Sequence, residues 1–309
     1  MRIARSSFET LLEPLGVATA VAADDAGLLE ALRRLYGDWR AEPAAAAARL
    51  SLRFEIGADV DERGVADIGI NGSRLTLRGA GVAGWADAGT GEAGARVSPR
   101  LAADPAALAE AADTLLLFLL TRSGRIPVHA AGVMAGGTAL VLAGRSGAGK
   151  STLALRAMQR GLPILSDDTV YIQLQPDLRV WGFRRPLHVF PEEAPRFTDG
   201  TRLRAGRLKA VVPLSSAAAG GPLCADRAEL IVLARGAAVA LEPLDAAAAL
   251  AALSRLDAGF DLLAEASAEA ITALAARGAW RLTLTRDPEA ALDLLCARFE
   301  GSALAGPAD

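Results

Sequence analysis

Cysteine, lysine, histidine and long apolar runs are all scarce in this sequence. Cys224 and Cys296 are its only cysteines, and they form neither a C-x-x-C pair nor part of a dense framework. A disulfide-stapled scaffold and a thiolate metal site are therefore excluded, and both side chains are expected in the core. No apolar run approaches the ~20 residues that cross a bilayer, so we expect neither a transmembrane helix nor a membrane partner.

An excess of either charge is also missing. The 309 residues carry 33 basic and 36 acidic side chains, which gives a net charge of −3. Because nucleic acids bind through a broad positive field, no nucleic-acid partner is predicted. The N-terminus lacks the apolar segment that directs secretion, and we expect a cytoplasmic protein.

The basic residues show one informative bias. Only Lys150 and Lys209 are lysines, and every other basic residue is an arginine. Arginine offers a planar fork of donors, whereas lysine is a compact point charge. The two lysines therefore mark candidate sites for a point charge.

Residues 1–124 are predicted to form a small α+β domain. Asp25 precedes a helical repeat of leucines, and the period changes to two over 50–56, which indicates a strand. A hairpin is predicted around Asn71-Gly72, with little regular structure over 79–100 beyond a short strand near Trp85. No catalytic constellation occurs here, so we assign this domain to substrate docking or to assembly of a homo-oligomer.

Residues 125–309 are predicted to form an α/β domain. Asp104-Pro105 opens an apolar helix that ends near Ser123-Gly124. Short strands and helices alternate beyond this helix, as in a sheet covered on both faces. The predicted elements include one strand over 128–134 and helices over 245–255 and 288–299.

A complete phosphate-binding motif lies in this second domain. The segment 144–151 reads Gly-Arg-Ser-Gly-Ala-Gly-Lys-Ser, which matches G-x-x-x-x-G-K-[ST] between a strand pattern and a helix pattern. Lys150 is expected to neutralise the β and γ phosphates in catalysis, and Ser151 to bind Mg²⁺. A glycine-rich turn without a ligand is the alternative. The predicted nucleotide-binding residues here are Gly144, Ser146, Gly147, Ala148, Gly149, Lys150, Ser151 and Thr152.

Two adjacent carboxylates follow the motif closely. The helix after the glycine loop leads into an apolar strand that ends at Asp167 and Asp168. In a parallel sheet, this strand would end at the same edge as the glycine loop. One carboxylate can then reach a metal while the other faces a nucleophile, although a solvated turn is the alternative.

His129 begins the strand expected beside the glycine-loop strand, in a His-x-x-Gly sequence. A buried structural histidine is the alternative interpretation.

The histidine motif, the glycine loop and the aspartate pair occur in the order and spacing of one known family. The stretch from His129 to Tyr171 resembles the catalytic domain of HPr kinase/phosphorylase, a bacterial protein-serine kinase. The resemblance implies an α/β P-loop kinase fold of the type shared with phosphoenolpyruvate carboxykinase, which uses ATP and Mg²⁺. It also implies that Asp167 is the base toward the acceptor serine with His129 nearby, and that Asp168 supports the metal.

Two features depart from that family. Thr152 stands where the family has a glutamate that contacts the metal, and the Glu-x-Arg-Gly-Leu-Gly signature tied to HPr recognition and the reverse reaction is missing. We therefore predict neither HPr as the substrate nor the reverse reaction. The remaining pattern is similar to HPr-kinase-related proteins that phosphorylate a serine of lasso-peptide precursors.

Cationic residues outside the motif extend the predicted site. Arg184 and Arg185 follow a strand end and are candidates to contact phosphates or an acidic peptide, with a solvated loop as the alternative. Lys209 opens a later strand and is a candidate phosphate contact.

The predicted function is ATP- and Mg²⁺-dependent phosphorylation of a serine hydroxyl in a peptide or protein partner. A kinase for a small-molecule hydroxyl and a nucleotide-binding regulatory module without catalysis are the alternatives.

Overall fold

A computed structural model describes residues 8–39, 47–194, 198–204, 206–221, 223–253 and 264–299. The chain divides into two units, residues 1–125 and 126–309. Both units combine helices with sheets, so the chain is of the mixed α/β class that the sequence patterns predict.

The first unit contains a seven-stranded sheet of order β1-β2-β3-β7-β6-β5-β4. Its elements are β1 (Phe8–Leu12), β2 (Thr19–Ala23), α1 (Ala26–Leu35), β3 (Leu50–Ile56), β4 (Asp67–Asn71), β5 (Arg74–Gly79), β6 (Val82–Asp87), β7 (Glu92–Val97), α2 (Pro99–Ala103) and α3 (Pro105–Arg122). Strand β3 pairs in parallel with β2 and β7, and the other pairings are antiparallel.

Helices α1 and α3 begin where the sequence predicts. The Asp25 carboxylate accepts the N–H of Leu28 at 2.8 Å, and Asp104 accepts the N–H groups of Ala106 and Ala107. These side chains satisfy donors that the first turn of a helix leaves unpaired.

Two strands in the first unit were not predicted in full. Residues 79–100 form β6 and β7, where the sequence indicates only a short strand near Trp85. The buried side chains of β7 are Ala93, Ala95 and Val97. Because alanine contributes little to a hydrophobic pattern, the alternation of buried and exposed residues in β7 is not visible in the sequence.

The second unit contains the elements that form the candidate site. They are β8 (Ile126–Val128), β9 (Ala130–Ala135), β10 (Thr138–Ala143), α4 (Lys150–Gln159), β11 (Ile164–Ser166), β12 (Val170–Gln173), β13 (Arg179–Gly182), β14 (Leu187–Val189), β15 (Thr201–Arg204), β16 (Arg207–Val212), α5 (Ser216–Ala219), β17 (Cys224–Ala225), β18 (Ala228–Arg235), β19 (Ala240–Pro243), α6 (Ala246–Leu253), α7 (Ala264–Ala275), β20 (Ala279–Leu284) and α8 (Pro288–Phe299). The predicted helix over 245–255 matches α6 as far as Leu253, and its last two residues lie outside the described part.

The strands of this unit form three sheets of orders β11-β9-β10-β18-β20-β19, β17-β13-β12-β8 and β14-β16-β15. Leu140 and Leu142 on β10 pack into a core that α4 and α8 share, while Val141 faces a second core with residues of α6 and α7. The first sheet is therefore buried on both faces, as predicted.

The predicted single strand over 128–134 is wrong. Residues 126–128 form β8, which pairs with β12, whereas residues 130–135 form β9, which pairs with β10. His129 lies at the break between two different sheets.

Both cysteines were expected in the core; each is half-buried, and Cys296 packs against the core that α4 and α8 share. Burial raises the pKa of the Cys224 thiol, so the reactive thiolate is disfavoured there. In the described ranges, we find no helix whose length and apolarity would allow it to span a bilayer.

Candidate active site

The glycine loop connects β10 to α4, as the motif predicts. β10 ends at Ala143 and α4 begins at Lys150, so the unpaired N–H groups of the first helical turn face the loop. Gly149 caps the helix with a φ of 114°, a conformation that favours glycine. A Cβ at Gly144 would lie 3.0 Å from the Ala148 Cβ, so the base of the loop closes tightly.

The Lys150 side chain lies against this loop. It is 7% exposed, and its Nζ donates to the carbonyl of Gly144 at 2.7 Å. The carbonyl of Arg145 is 3.4 Å from the same nitrogen. The ammonium is therefore positioned within the motif, where phosphate oxygens would be stronger acceptors than carbonyls.

A distant carboxylate reaches the first turn of α4. Thr152 Oγ1 donates to Glu193 Oε2 at 2.7 Å, and Glu193 ends a short 3₁₀ turn, Pro191–Glu193. Thr152 was predicted to contact nucleotide, and here its hydroxyl holds Glu193 at the first turn of α4. Sequence reasoning missed Glu193 because 41 residues separate it from Thr152.

The aspartate pair lies at the same sheet edge as the glycine loop, by a different route from the one predicted. The sequence argument placed the aspartates at this edge through a parallel sheet, whereas β9 lies between β10 and β11 and is antiparallel to both. Two antiparallel steps give β11 the same direction as β10. The carboxyl ends of β10 and β11 therefore lie at one edge, with Asp167 directly after Ser166.

Each aspartate has one of the chain's two histidines as a neighbour. His129 Nδ1 lies 3.4 Å from Asp168 Oδ1. His188 donates its backbone N–H to Asp167 Oδ2 at 2.7 Å, and its Nδ1 lies 3.9 Å from the same oxygen. The predicted neighbour of the pair, His129, is thus present, and it contacts Asp168.

His188 was not predicted as a site residue. It lies on β14, which belongs to a different sheet from β11, and only the tertiary fold brings it to Asp167. The one signal in the sequence was its rarity, because the chain has 2 histidines.

The two carboxylates differ in exposure. The Asp167 side chain is 6% exposed, whereas that of Asp168 is 55% exposed. The backbone N–H from β14 holds Asp167 in a recess, and Asp168 with His129 lies nearer the solvent.

The glycine of the His-x-x-Gly motif permits close strand packing. A Cβ at Gly132 would lie 2.9 Å from both Leu165 Cβ and Val170 Cγ1. Since real Cβ atoms do not approach so closely, any larger residue would push β11 and its terminal aspartates away from β9.

Arg184 is buried in the fold, whereas the sequence suggested a contact to phosphates or to an acidic peptide. Its guanidinium donates to the carbonyls of Ile164, Ala219 and Gly221 at 2.9, 2.6 and 2.6 Å. This arginine stabilises the strand that leads to the aspartates.

We expect Arg184→Lys to lower the free energy of unfolding by about 1.5–3 kcal/mol, because an ammonium cannot replace the guanidinium fork. Nucleotide affinity of the folded protein should stay unchanged. Urea unfolding measures the effect, with Arg207→Lys, at an exposed position, as the matched control. Normal stability together with weakened nucleotide binding would assign Arg184 to phosphate instead.

Two of the predicted cations lie over aromatic rings. The Arg185 guanidinium carbon is 4.4 Å from the Phe183 ring centroid, and Lys209 Nζ is 3.4 Å from that of Phe190. Such contacts hold a cation without neutralising its charge. Phe190 directly precedes the turn that carries Glu193.

Arg235 is a further cation beside the loop. It ends β18, and its Nη2 lies 3.1 Å from the place of a Cβ on Gly149, while its Nη1 donates to the carbonyl of Thr285 at 2.8 Å. No sequence motif marked this residue, because its position follows from the pairing of β18 with β10.

The donors around the loop suit a phosphate ester better than a free metal ion. Within the described ranges, no three carboxylate, imidazole or thiol groups converge as a metal site. Mg²⁺ commonly binds one or two carboxylates together with substrate phosphates. The tight loop with its buried Lys150 is suited to hold the phosphates, and Asp168 at the same sheet edge is a candidate carboxylate ligand.

Comparisons with known proteins find a similarity in structure but none in sequence. No protein-family model matches it, and no curated protein sequence does. Among solved structures it is similar to the Hpr(Ser) kinase/phosphatase from Coxiella burnetii, at 12% identity and a TM-score of 0.30, over 58% of this chain and 99% of that chain. At this level of similarity, the function has to be argued from the site's own geometry.

Proposed function

We propose that this chain is an ATP- and Mg²⁺-dependent kinase that phosphorylates a serine hydroxyl of a peptide or protein. One observation carries the proposal: a complete phosphate loop with a buried lysine shares its sheet edge with two adjacent aspartates. Phosphoryl transfer requires positioning, charge neutralisation and a proton acceptor. The loop and the aspartates supply groups suited to these tasks.

The proposed step is a direct transfer to the acceptor. The serine oxygen forms a bond to the γ phosphorus, and the bond between that phosphorus and the β–γ bridging oxygen breaks, so ADP leaves. The serine proton passes to the Asp167 carboxylate. Its Oδ2 accepts the N–H of His188, which supports a fixed orientation for the base.

The remaining residues of the proposed site bind the phosphates and Mg²⁺ or orient the groups that do so. Lys150 binds the β and γ phosphates as a point charge, and the loop N–H groups orient them. Ser151 and Asp168 are the residues proposed to hold Mg²⁺, which supplies charge neutralisation on the phosphates when it is bound. His129, 3.4 Å from Asp168, is proposed to orient that carboxylate.

Arg185 and Lys209 are proposed as additional phosphate contacts. Each lies over an aromatic ring, which positions a cation without itself neutralising it.

A ribosomally made precursor peptide, of the kind modified by lasso-peptide kinases, is the first acceptor to try. The N-terminal unit is proposed to serve docking or assembly of copies of the chain. Ile68 and Ile70, on the edge strand β4, are 51% and 40% exposed, and an exposed apolar edge supports an interface.

The position of the aspartates helps to choose between the proposed kinase and the two alternative functions. A nucleotide-binding module without catalysis needs no carboxylate beside the γ phosphate, so the position of Asp167 favours a kinase. A kinase for a small-molecule hydroxyl would use the same residues.

The test is incubation of the full chain with γ-labelled ATP, Mg²⁺ and a panel of serine-containing peptides and metabolites, read by mass spectrometry. The proposal expects one phosphoryl group on a peptide serine. Phosphorylation of a metabolite alone would assign the small-molecule function. Nucleotide binding without transfer to any acceptor would support the regulatory module.

We expect Ser151→Ala and Asp168→Asn to raise the Mg²⁺ concentration needed for half-maximal transfer, because each removes an oxygen ligand. Added Mg²⁺ should recover part of the rate. Unfolding by urea should change little, since Ser151 is half-buried and Asp168 exposed, and polar groups outside the core contribute little stability. A Mg²⁺ titration of the initial rate measures this, with Asp199→Asn as a control at an exposed aspartate. An unchanged Mg²⁺ requirement in both variants would remove them from the metal site.

A further inference from the structure

One stretch of the second unit is basic in a chain that is acidic overall. Between Gly200 and Ala225 the sequence has four basic residues, Arg202, Arg204, Arg207 and Lys209, and no acidic one. The whole chain has a net charge of −3, so the positive charge here is local.

The strand register places these cations together. β15 and β16 are antiparallel, with Arg202 opposite Lys209. Residues directly opposite share a face, and so do residues two apart on one strand. Arg202, Lys209 and Arg207 therefore occupy one face, which we name the basic face.

The basic face is accessible and its charge is uncompensated. Arg202 and Arg207 are exposed, and Lys209 lies over the Phe190 ring. No carboxylate of the described residues forms an ion pair with any of the three. Like charges on neighbouring strand positions repel, so a bound anion would stabilise the arrangement.

The basic face is linked to the candidate active site through its own sheet. β16 pairs with β14, and His188 of β14 contacts Asp167. Phe190, beneath Lys209, follows β14 and leads into the turn whose Glu193 contacts Thr152 on α4. A ligand on this face would thus bind on the sheet that borders the aspartates.

We propose that the basic face binds an acidic segment of the peptide substrate and holds it while a nearby serine enters the site. This proposal rests on the proposed kinase function. Alternate side chains of an extended peptide repeat at about 6.6 Å, the same spacing as Arg207 and Lys209 on their strand. Carboxylates at alternate positions therefore match the cations, and Lys209 would then bind the acidic segment in place of a phosphate. The net negative charge of the chain disfavours a nucleic acid, which needs a broad positive field.

The test measures peptide binding without nucleotide, so that it is independent of catalysis. The probe is a fluorescently labelled peptide in which glutamates alternate with glycines around one serine, compared with a peptide of glutamines in place of the glutamates. Anisotropy is measured for the full chain and for the Arg202→Gln/Arg207→Gln variant. The matched control is Arg179→Gln/Arg281→Gln, which removes two exposed arginines from β13 and β20, in other sheets of the second unit.

We expect the acidic peptide to bind roughly 10-fold or more tightly than the neutral one, and the Arg202→Gln/Arg207→Gln variant to lose that difference, since each ion pair contributes a small factor. The control variant should bind normally, and added salt should weaken binding. Equal affinity of the variant and the unmodified chain would overturn the proposal. Preferential binding of a single-stranded oligonucleotide to the same face would overturn it too.

A separate transfer assay distinguishes this proposal from the kinase function. Binding of the acidic peptide without transfer from ATP to any acceptor would refute the kinase and leave the basic face as an acidic-peptide site. Transfer to acidic and neutral peptides with equal KM would support the kinase and refute the basic face.

Discussion

Replacement of Lys150 by alanine should abolish measurable phosphoryl transfer and severely weaken nucleotide binding. Lys150 Nζ is buried and directed at the loop carbonyls of Gly144 and Arg145, so it is a point charge held within the phosphate loop itself. Loss of one preorganised charged donor typically reduces rates by about 10²–10³-fold. The transfer rate should fall by at least this factor.

Calorimetry with a non-hydrolysable ATP analogue and Mg²⁺ measures the affinity part of this prediction. Circular dichroism must show that the variant is folded, because the lysine also bonds to the loop. Lys150→Met is the companion variant, since it keeps the apolar stem and removes only the charge. Unchanged nucleotide affinity in both variants would place the nucleotide elsewhere in the chain.

The phosphate loop and its flanking elements were predictable because they are local. The segment 144–151 prescribes a turn that requires glycine at a positive φ, and the flanking patterns have the periods of a strand and a helix. The caps Asp25 and Asp104 are equally local signals. The sequence was sufficient for features, such as helix caps and the glycine loop, that are determined by residues close together in the chain.

The partners of the site were not predictable, because they depend on how separate sheets meet. His188 and Glu193 reach Asp167 and Thr152 from a segment beyond β13, and nothing in their immediate sequence indicates that contact. The break at His129 was missed for a related reason. Residues 126–135 are almost uniformly apolar, and such a run does not show that its two halves pair in different sheets.

The strand pairing between the glycine loop and the aspartates was also not predictable. An antiparallel β9 between β10 and β11 reverses direction twice. The sequence pattern of short apolar strands is the same in both arrangements, so only the structure distinguishes them.

Asp167→Asn should lower phosphoryl transfer by roughly 10²-fold or more, the usual scale of general-base catalysis. The amide oxygen of asparagine can still accept the N–H of His188 that Asp167 Oδ2 accepts at 2.7 Å. The variant therefore keeps the size and the anchoring of the side chain while losing the proton acceptor. Because the phosphate loop is unchanged, nucleotide affinity should remain within a small factor of normal.

Single-turnover transfer from saturating ATP, measured beside nucleotide affinity on the same preparations of unmodified and Asp167→Asn protein, tests the kinase assignment most directly. The acceptor is a serine peptide phosphorylated by the unmodified chain. The account predicts a transfer rate reduced by roughly 10²-fold or more with affinity retained. Full transfer by Asp167→Asn would contradict the assignment of Asp167 as the base, and with it the proposed catalytic centre.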